Sequence, residues 1–214
     1  MEKEKIEIVS KLVRNFSERS FNRYFTAKRI FKEQFKQVVN EVKDVIFVNE
    51  LIQCKKKREF EMERIRTSED YINLIFNPKL IIGDAIEDKI KELLNISRPY
   101  LTFKKIEVND ETYIIAGSCD GFINDYVVDI KFKSRINVPA VKDILQIKLY
   151  AWLYNTKYGL IIIISPSTIN IFNYEAFTDS DVKKLITSWK SPMFSEECKY
   201  CPFKEDCDIF IKLI

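Results

Sequence analysis

Three observations predict an α/β fold with a mixed central sheet flanked by helices. β-Branched and aromatic runs recur at Tyr100 to Val108, Thr112 to Ala116, Tyr126 to Val128, Gly159 to Ser165 and Ile169 to Tyr174. Segments with helical apolar spacing lie between and around them, at 80–95, 140–155 and 179–190. The chain has 214 residues, 46% of them hydrophobic and 16 of them Phe, so it can bury a sizeable core between a sheet and its helices.

Taken in order, residues 4–45 carry apolar residues near helical spacing (Ile8, Leu12, Phe16, then Phe21, Phe25, Phe31, Phe35, Val38, Val42), which predicts two helices broken near Ser17 and Ser20. Phe47 to Cys54 leads into a basic run, Lys55 to Arg58. In the helix expected over 80–95, Ile86, Ile90, Leu93 and Leu94 share a face, while Asp84, Glu87, Asp88 and Lys91 lie on others. Asn109-Asp110 marks a turn between the first two strands. Gly121 and Asn124-Asp125 mark a second turn, so the Ile114 to Ala116 run is expected to pair with Tyr126 to Val128. The helix over 140–155 places Gln146 and Tyr150 four residues apart on one face. Leu160 to Ile164 reads as a buried strand and pairs with Ile169 to Tyr174 across Pro166-Ser167-Thr168. The last helix, with Val182, Leu185, Ile186 and Trp189 on its apolar face, takes Asp179 or Ser180 as its N-cap.

Composition narrows the chemistry. There is no histidine, so a histidine-dependent triad, a histidine-rich zinc site and a histidine general base are all excluded. Any hydrolysis must rest on carboxylates, lysine and a metal. Net charge is only +3, but residues 1–66 hold 17 Lys/Arg against 11 Asp/Glu, a surplus able to meet phosphates or simply to face solvent. No apolar run reaches the roughly 18 residues of a membrane span, and Met1-Glu2-Lys3-Glu4-Lys5 is not a secretory start, so a cytoplasmic protein is expected.

The chemistry concentrates between Gly117 and Tyr150. If the hairpin forms, Asp120 and Asp129 converge, and two carboxylates make a hard-oxygen site for Mg²⁺ or Mn²⁺. Lys131, two residues beyond Asp129, projects from the same strand face, where it can hold or deprotonate a water. Such a site suits phosphodiester hydrolysis, because the metal lowers the pKa of water and neutralises phosphate charge. Asp-x-Lys alone is common on solvated strand ends. Here Gly117-Ser118-Cys119-Asp120 precedes it and Gln146 to Tyr150 follows, which gives the triplet its weight. Lys133 and Arg135 are candidates for phosphate contact.

Sulfur forms the second constellation. Cys198, Cys201 and Cys207 fit C-x₂-C-x₅-C, with Pro202 after the second, which points to a metal site more than to disulfides. A fourth thiolate must be Cys54 or Cys119. Cys119 adjoins Asp120, where a soft cluster would compete with the hard-metal site, so Cys54 is assigned as the fourth ligand and Cys119 as structural. Four thiolates suit tetrahedral zinc or an iron–sulfur cluster.

Gly117 to Asp120, Asp129-Ile130-Lys131 and Gln146 to Tyr150 together resemble the core of the PD-(D/E)XK nucleases, in their RecB-like branch. With Cys54 and the C-terminal cysteine trio, the chain looks most like the CRISPR-associated RecB-like iron–sulfur exonucleases. The resemblance covers about residues 45–210. It implies a nuclease domain over 45–214, completed by a helical iron–sulfur subdomain, with residues 1–44 as an N-terminal helical extension. It also implies a 4Fe–4S cluster on Cys54, Cys198, Cys201 and Cys207, and Mg²⁺ or Mn²⁺ on Asp120, Asp129 and the Ile130 carbonyl. In the roles so implied, Lys131 handles the attacking water, Glu87 is an auxiliary carboxylate, and Gln146 and Tyr150 orient substrate or ligands. Gly83 to Glu87 matches the family's helical motif, except that Ile86 stands where a metal-ligating histidine is usual. That departure weakens the metal site, shifts ligation to Glu87 or Asp84, or leaves a place for water.

The implied activity is metal-dependent hydrolysis of DNA, mainly single-stranded and exonucleolytic from the 5′ end, with endonucleolytic cutting in some members. The implied partners are DNA and the CRISPR adaptation proteins; relatives also occur outside CRISPR loci, including in archaeal viruses. Two other classes stay open: a DNA-binding or assembly subunit that keeps the fold and cluster without catalysis, and a zinc-stabilised interaction domain.

Overall fold

The computed structural model describes residues 32, 33, 35, 42–63, 78–96, 99–134 and 138–211. The two helices expected over 4–45 therefore lie almost wholly outside the described residues, as does Arg135. Where that segment is described, one expectation is corrected. Val42–Phe47 is a strand, β1, although the apolar spacing continued the helical pattern to residue 45. Its last three residues are fully buried, so what matters there is a run of apolar residues inside a sheet, not a one-sided stripe.

Two short helices follow, α1 (Val48–Leu51) and α2 (Lys55–Glu63), and then the longer α3 (Pro78–Leu93). Strands β2 (Thr102–Val108) and β3 (Glu111–Gly117) form an antiparallel hairpin. Its turn is Asn109-Asp110, and both residues take left-handed φ, 51° and 62°, as a two-residue hairpin loop requires. β4 (Gly121–Ile123) and β5 (Tyr126–Phe132) form the second hairpin, with Asn124 at φ 50°. Helix α4 (Val141–Leu153) then crosses over to β6 (Tyr158–Ile164), which runs parallel to β5. Strand β7 (Ile169–Glu175) returns antiparallel along β6, followed by α5 (Asp179–Thr187), a 3₁₀ turn at Cys198–Tyr200 and α6 (Asp208–Ile211).

The predicted α/β class is observed, with the strands in two mixed sheets. One has the order β1-β3-β2 and the other β4-β5-β6-β7. The expected pairing of Ile114 to Ala116 with Tyr126 to Val128 is not made. Ile114 to Ala116 pair instead with β1 and β2, and β5 pairs with β4 and β6. The turn at Asn124-Asp125 selects the short local partner, Ile123 against Tyr126, over the more distant run.

β5 is an interior strand covered on both faces, which is what buries Asp129 within it. Val127 joins Ile147, Leu149, Ile161 and Ile163 in the main core on the α4 side. Val128 and Ile130 join Ile162 and Ile164 on the other side, where Ile86 and Ile90 of α3 pack onto them. Leu93 and Leu94, expected on the same helical face, are 66% and 49% exposed, because α3 ends there: Asn95 turns to φ 51° and the Ile96 N–H closes on the Lys91 carbonyl. The N-cap of α5 is Thr178, one residue before the expected Asp179. Its hydroxyl accepts from the Asp181 N–H while the Asp181 carboxylate accepts from the Thr178 N–H, a reciprocal capping box.

Candidate functional site

The loop joining the two sheets, Ser118 to Asp120, runs into the start of β4 and lays Asp120 beside β5. The Asp120 N–H donates to the Val128 carbonyl at 3.1 Å, and the Ile130 N–H donates to Asp120 Oδ2 at 2.7 Å. Asp120 is thus fixed to the strand that carries Asp129. Two residues on, Lys131 Nζ donates to Asp129 Oδ1 at 3.0 Å. The three side chains expected to converge do so.

One atom stands apart. Asp129 is 2% exposed, and its Oδ2 is a buried carboxylate oxygen with no hydrogen-bond partner among the described residues. An unsatisfied buried acceptor costs free energy unless a proton or a cation meets it. Burial pushes the Asp129 carboxyl up to about 7, with Asp120 adding to the shift and Lys131 opposing it. Burial pulls Lys131 down, but Asp129 and then Asp120 outweigh it and hold the ammonium above its ordinary range. A bare oxygen beside a second carboxylate offers two hard-oxygen side-chain donors, so a hard divalent cation held here would need main-chain or water oxygens to complete its shell.

The other expected residues divide. Glu87 pairs with Lys91, one turn along α3, and Lys91 Nζ lies 4.0 Å from Asp120 Oδ1, so Glu87 is linked to Asp120 through an ammonium. Ile86 packs against the Val128–Ile130 cluster, so the position where the family usually has histidine is a packing position here. Gln146 Nε2 approaches the Tyr150 hydroxyl at 3.5 Å, and Tyr150 is buried in the main core. Gly117 faces that tyrosine: a Cβ there would lie 2.9 Å from Tyr150 Cε1 and 3.0 Å from Val48 Cγ2, so the close approach needs glycine. Lys133, a candidate for phosphate contact, donates to Asp143 at 2.6 Å and to the Val138 carbonyl at 3.3 Å. Asp143 also accepts the Ala140 N–H at 2.9 Å, which ties the start of α4 to the end of β5. Sequence reasoning passed over Asp143 and Lys91. The (i, i+4) spacing of Glu87 and Lys91 was the available signal for the second. Nothing local pointed to Asp143.

Cys54, Cys198, Cys201 and Cys207 line one cavity, together with Phe60 and Glu197 among others. All five cysteines are free thiols. Burial pushes the Cys198 thiol up, and Cys54, Cys207 and Cys201 add to it in that order, as mutually close thiols do. Residues 53–55 and residues 189–197 are also joined by hydrogen bonds. Glu197 Oε1 accepts the Cys54 N–H at 3.1 Å, and its Oε2 accepts the N–H groups of Met193 and Phe194 at 2.9 and 3.0 Å. Lys55 N–H donates to the Lys190 carbonyl, and Trp189 Nε1 donates to the Gln53 carbonyl at 2.8 Å. Phe60 stacks on Phe203 beside the cavity. Among the described residues, no three His, Cys, Asp or Glu side chains are grouped to hold a metal ion, at the cysteines or at the carboxylates. Cys119 lies apart from the four, buried, its thiol donating to the Gly121 carbonyl at 3.4 Å.

Among the described residues no helix is long and apolar enough to cross a membrane. No family model matches the chain. It is similar to the CRISPR-associated exonuclease Cas4 of Saccharolobus solfataricus, 28% identical over 198 residues that cover 86% of this chain and 96% of that one. Among solved structures it is similar to that of SSO0001, with 25% identity and a TM-score of 0.68 over 88% of this chain and 96% of that one. An alkaline exonuclease from Laribacter hongkongensis aligns more loosely, at 9% identity and a TM-score of 0.43 over 66% of this chain and 82% of that one. The fold is the restriction-endonuclease-like α/β fold of the PD-(D/E)XK proteins.

Proposed function

We propose that this chain, a relative of the CRISPR-associated RecB-like exonucleases, is a divalent-cation-dependent DNA nuclease with its site at Asp120, Asp129 and Lys131. The observation that carries the reading is the buried, unpartnered Oδ2 of Asp129 beside a second carboxylate. Asp129 and Asp120 hold Mg²⁺ or Mn²⁺, with the Ile130 carbonyl as a third donor. When bound, the ion supplies Lewis acidity to water and neutralises charge on the scissile phosphate. Lys131 stays protonated beside its two carboxylates, so its part is to donate: it orients the attacking water and offsets negative charge growing on the phosphate. Glu87 is an auxiliary carboxylate. Gln146 presents its amide toward substrate, and Tyr150 fixes the helix from which it projects.

The favoured substrate is single-stranded DNA, degraded from the 5′ end, with endonucleolytic cutting as a secondary activity and CRISPR adaptation proteins as partners. Residues 45–214 form the nuclease domain and residues 1–44 an N-terminal extension. Cys54, Cys198, Cys201 and Cys207 hold a 4Fe–4S cluster that staples the two ends of the nuclease domain. What supports the cluster is that these four thiols line one cavity, in a C-x₂-C-x₅-C trio completed by Cys54. The packed position of Ile86 favours a second reading, a subunit that binds DNA in a CRISPR assembly and cuts weakly or not at all.

Cleavage of 5′- and 3′-labelled single strands in Mn²⁺ separates the two. Release of short 5′-labelled products by the wild type, lost in Asp129→Ala with DNA binding retained, supports the nuclease. Binding without cleavage by the wild type overturns it.

A further inference from the structure

Lys91 is 6% exposed, on a helix whose neighbouring positions Lys89 and Glu92 face solvent. A buried ammonium is costly unless anions meet it. Here two do: Glu87 pairs with it directly, and Asp120 Oδ1 lies 4.0 Å away. Ile86 and Ile90 anchor α3 on the β5–β6 cluster, and the Lys91 carbonyl accepts the Ile96 N–H at 2.8 Å, in the bond that closes the helix. On the far side of Asp120, Lys131 holds Asp129 Oδ1 at 3.0 Å. Each carboxylate of the central pair therefore has one resident ammonium, from a different element.

We propose that Lys91 is a charge-balancing residue of the carboxylate site: its ammonium bridges Glu87 to Asp120 and occupies charge space that an additional cation would otherwise fill. The proposal rests on the reading of Asp120 and Asp129 as a divalent-cation site. It explains how a chain without histidine keeps a helical acid tied to the strand acids. Glu87 is neutralised locally, and the site is left with one open carboxylate oxygen. The consequence is a weaker hold on divalent ions than the three acids alone would give, because a fixed positive charge a few ångströms from Asp120 repels an incoming cation.

Mn²⁺ titration by calorimetry on the full chain tests this with wild type, Lys91→Gln, Lys91→Arg and Asp129→Asn. The expected result is that Lys91→Gln binds Mn²⁺ about tenfold more tightly than wild type, while Lys91→Arg stays near wild type. Equal or weaker binding by a folded Lys91→Gln overturns the proposal. Asp129→Asn reports on the underlying reading separately: unchanged Mn²⁺ binding there sinks the divalent site itself. A metal-free double-mutant cycle tests the bridge without any cation. Lys91→Gln should lower the melting temperature, and adding Asp120→Asn should restore part of the loss. Strictly additive effects overturn the bridge.

Discussion

Glu197 offers the sharpest test of how the Cys54 segment meets the segment that carries the C-terminal cysteines. Its carboxylate accepts three backbone N–H groups, one from Cys54 and two from Met193 and Phe194. Hydrogen bonds to a charged acceptor contribute about 1.5–3 kcal/mol each, and three on one side chain are not additive, so Glu197→Ala should cost about 3 kcal/mol. At about 2–4 °C per kcal/mol for a chain of this size, the melt should fall by about 6–12 °C. Glu197→Gln should fall by less, because its amide oxygen can still accept the Met193 and Phe194 N–H groups while its NH₂ cannot accept the Cys54 N–H. Since the lost bonds fix the Cys54 backbone next to Cys198, both variants should also retain less iron after anaerobic purification. Melting by differential scanning fluorimetry, with iron and acid-labile sulfide assays, reads both effects. A Glu197→Ala protein that melts within about 2 °C of wild type, at full iron content, would refute the reasoning.

Three further outcomes are expected. Gly159→Ala places a Cβ 2.5 Å from Ile147 Cγ1 and 3.1 Å from the Ile147 carbonyl, so α4 must shift off β6; overpacking of about 1–3 kcal/mol should lower the melt by about 2–12 °C, and an unchanged melt contradicts it. Burial pushes the Cys119 thiol up to about 12, with the Gly121 carbonyl contact pulling the other way. Because its folded value is raised, its stabilising contribution is complete below the ordinary thiol range and is lost as pH climbs toward 12, and its thiolate is scarce at pH 8. Alkylation of native, metal-stripped protein at pH 8 should therefore label the four cavity cysteines well before Cys119, as peptide mass mapping will show. Protein purified without oxygen should be brown with absorbance near 400 nm, and iron chelation should lower its melt; a colourless protein with stoichiometric zinc contradicts the cluster.

The local parts of this fold were legible because their signals are local. Asn109-Asp110 predicted a tight turn and supplies both left-handed residues. Asp129 and Lys131 share a strand face by simple alternation, and Gln146 and Tyr150 share a helical one. The C-x₂-C-x₅-C trio and Cys54 do line one cavity. What escaped depends on contacts between distant segments. β1 was masked by apolar spacing that fitted a helix equally well, and only pairing with β3 decides it. Ion pairs add to that pairing: Asp44 of β1 takes Arg58 bidentately, at 2.7 and 2.9 Å, and Glu50 of α1 takes both Arg58 and Lys32 in the interior. No spacing rule links residues 14 or 18 apart. Lys133 was a candidate for phosphate contact, and only the tertiary fold reveals Asp143 as its partner. Ile86 looked like a gap in a metal site, whereas its physical role is to seat α3 on β5.

Anomalous scattering from crystals grown with Mn²⁺ tests the convergence of Asp120, Asp129 and Lys131 most directly. The predicted result is a manganese peak contacting Asp129 Oδ2 and Asp120, absent from Asp129→Asn crystals. A fully occupied ion elsewhere, with Asp129 Oδ2 still bare, would contradict it.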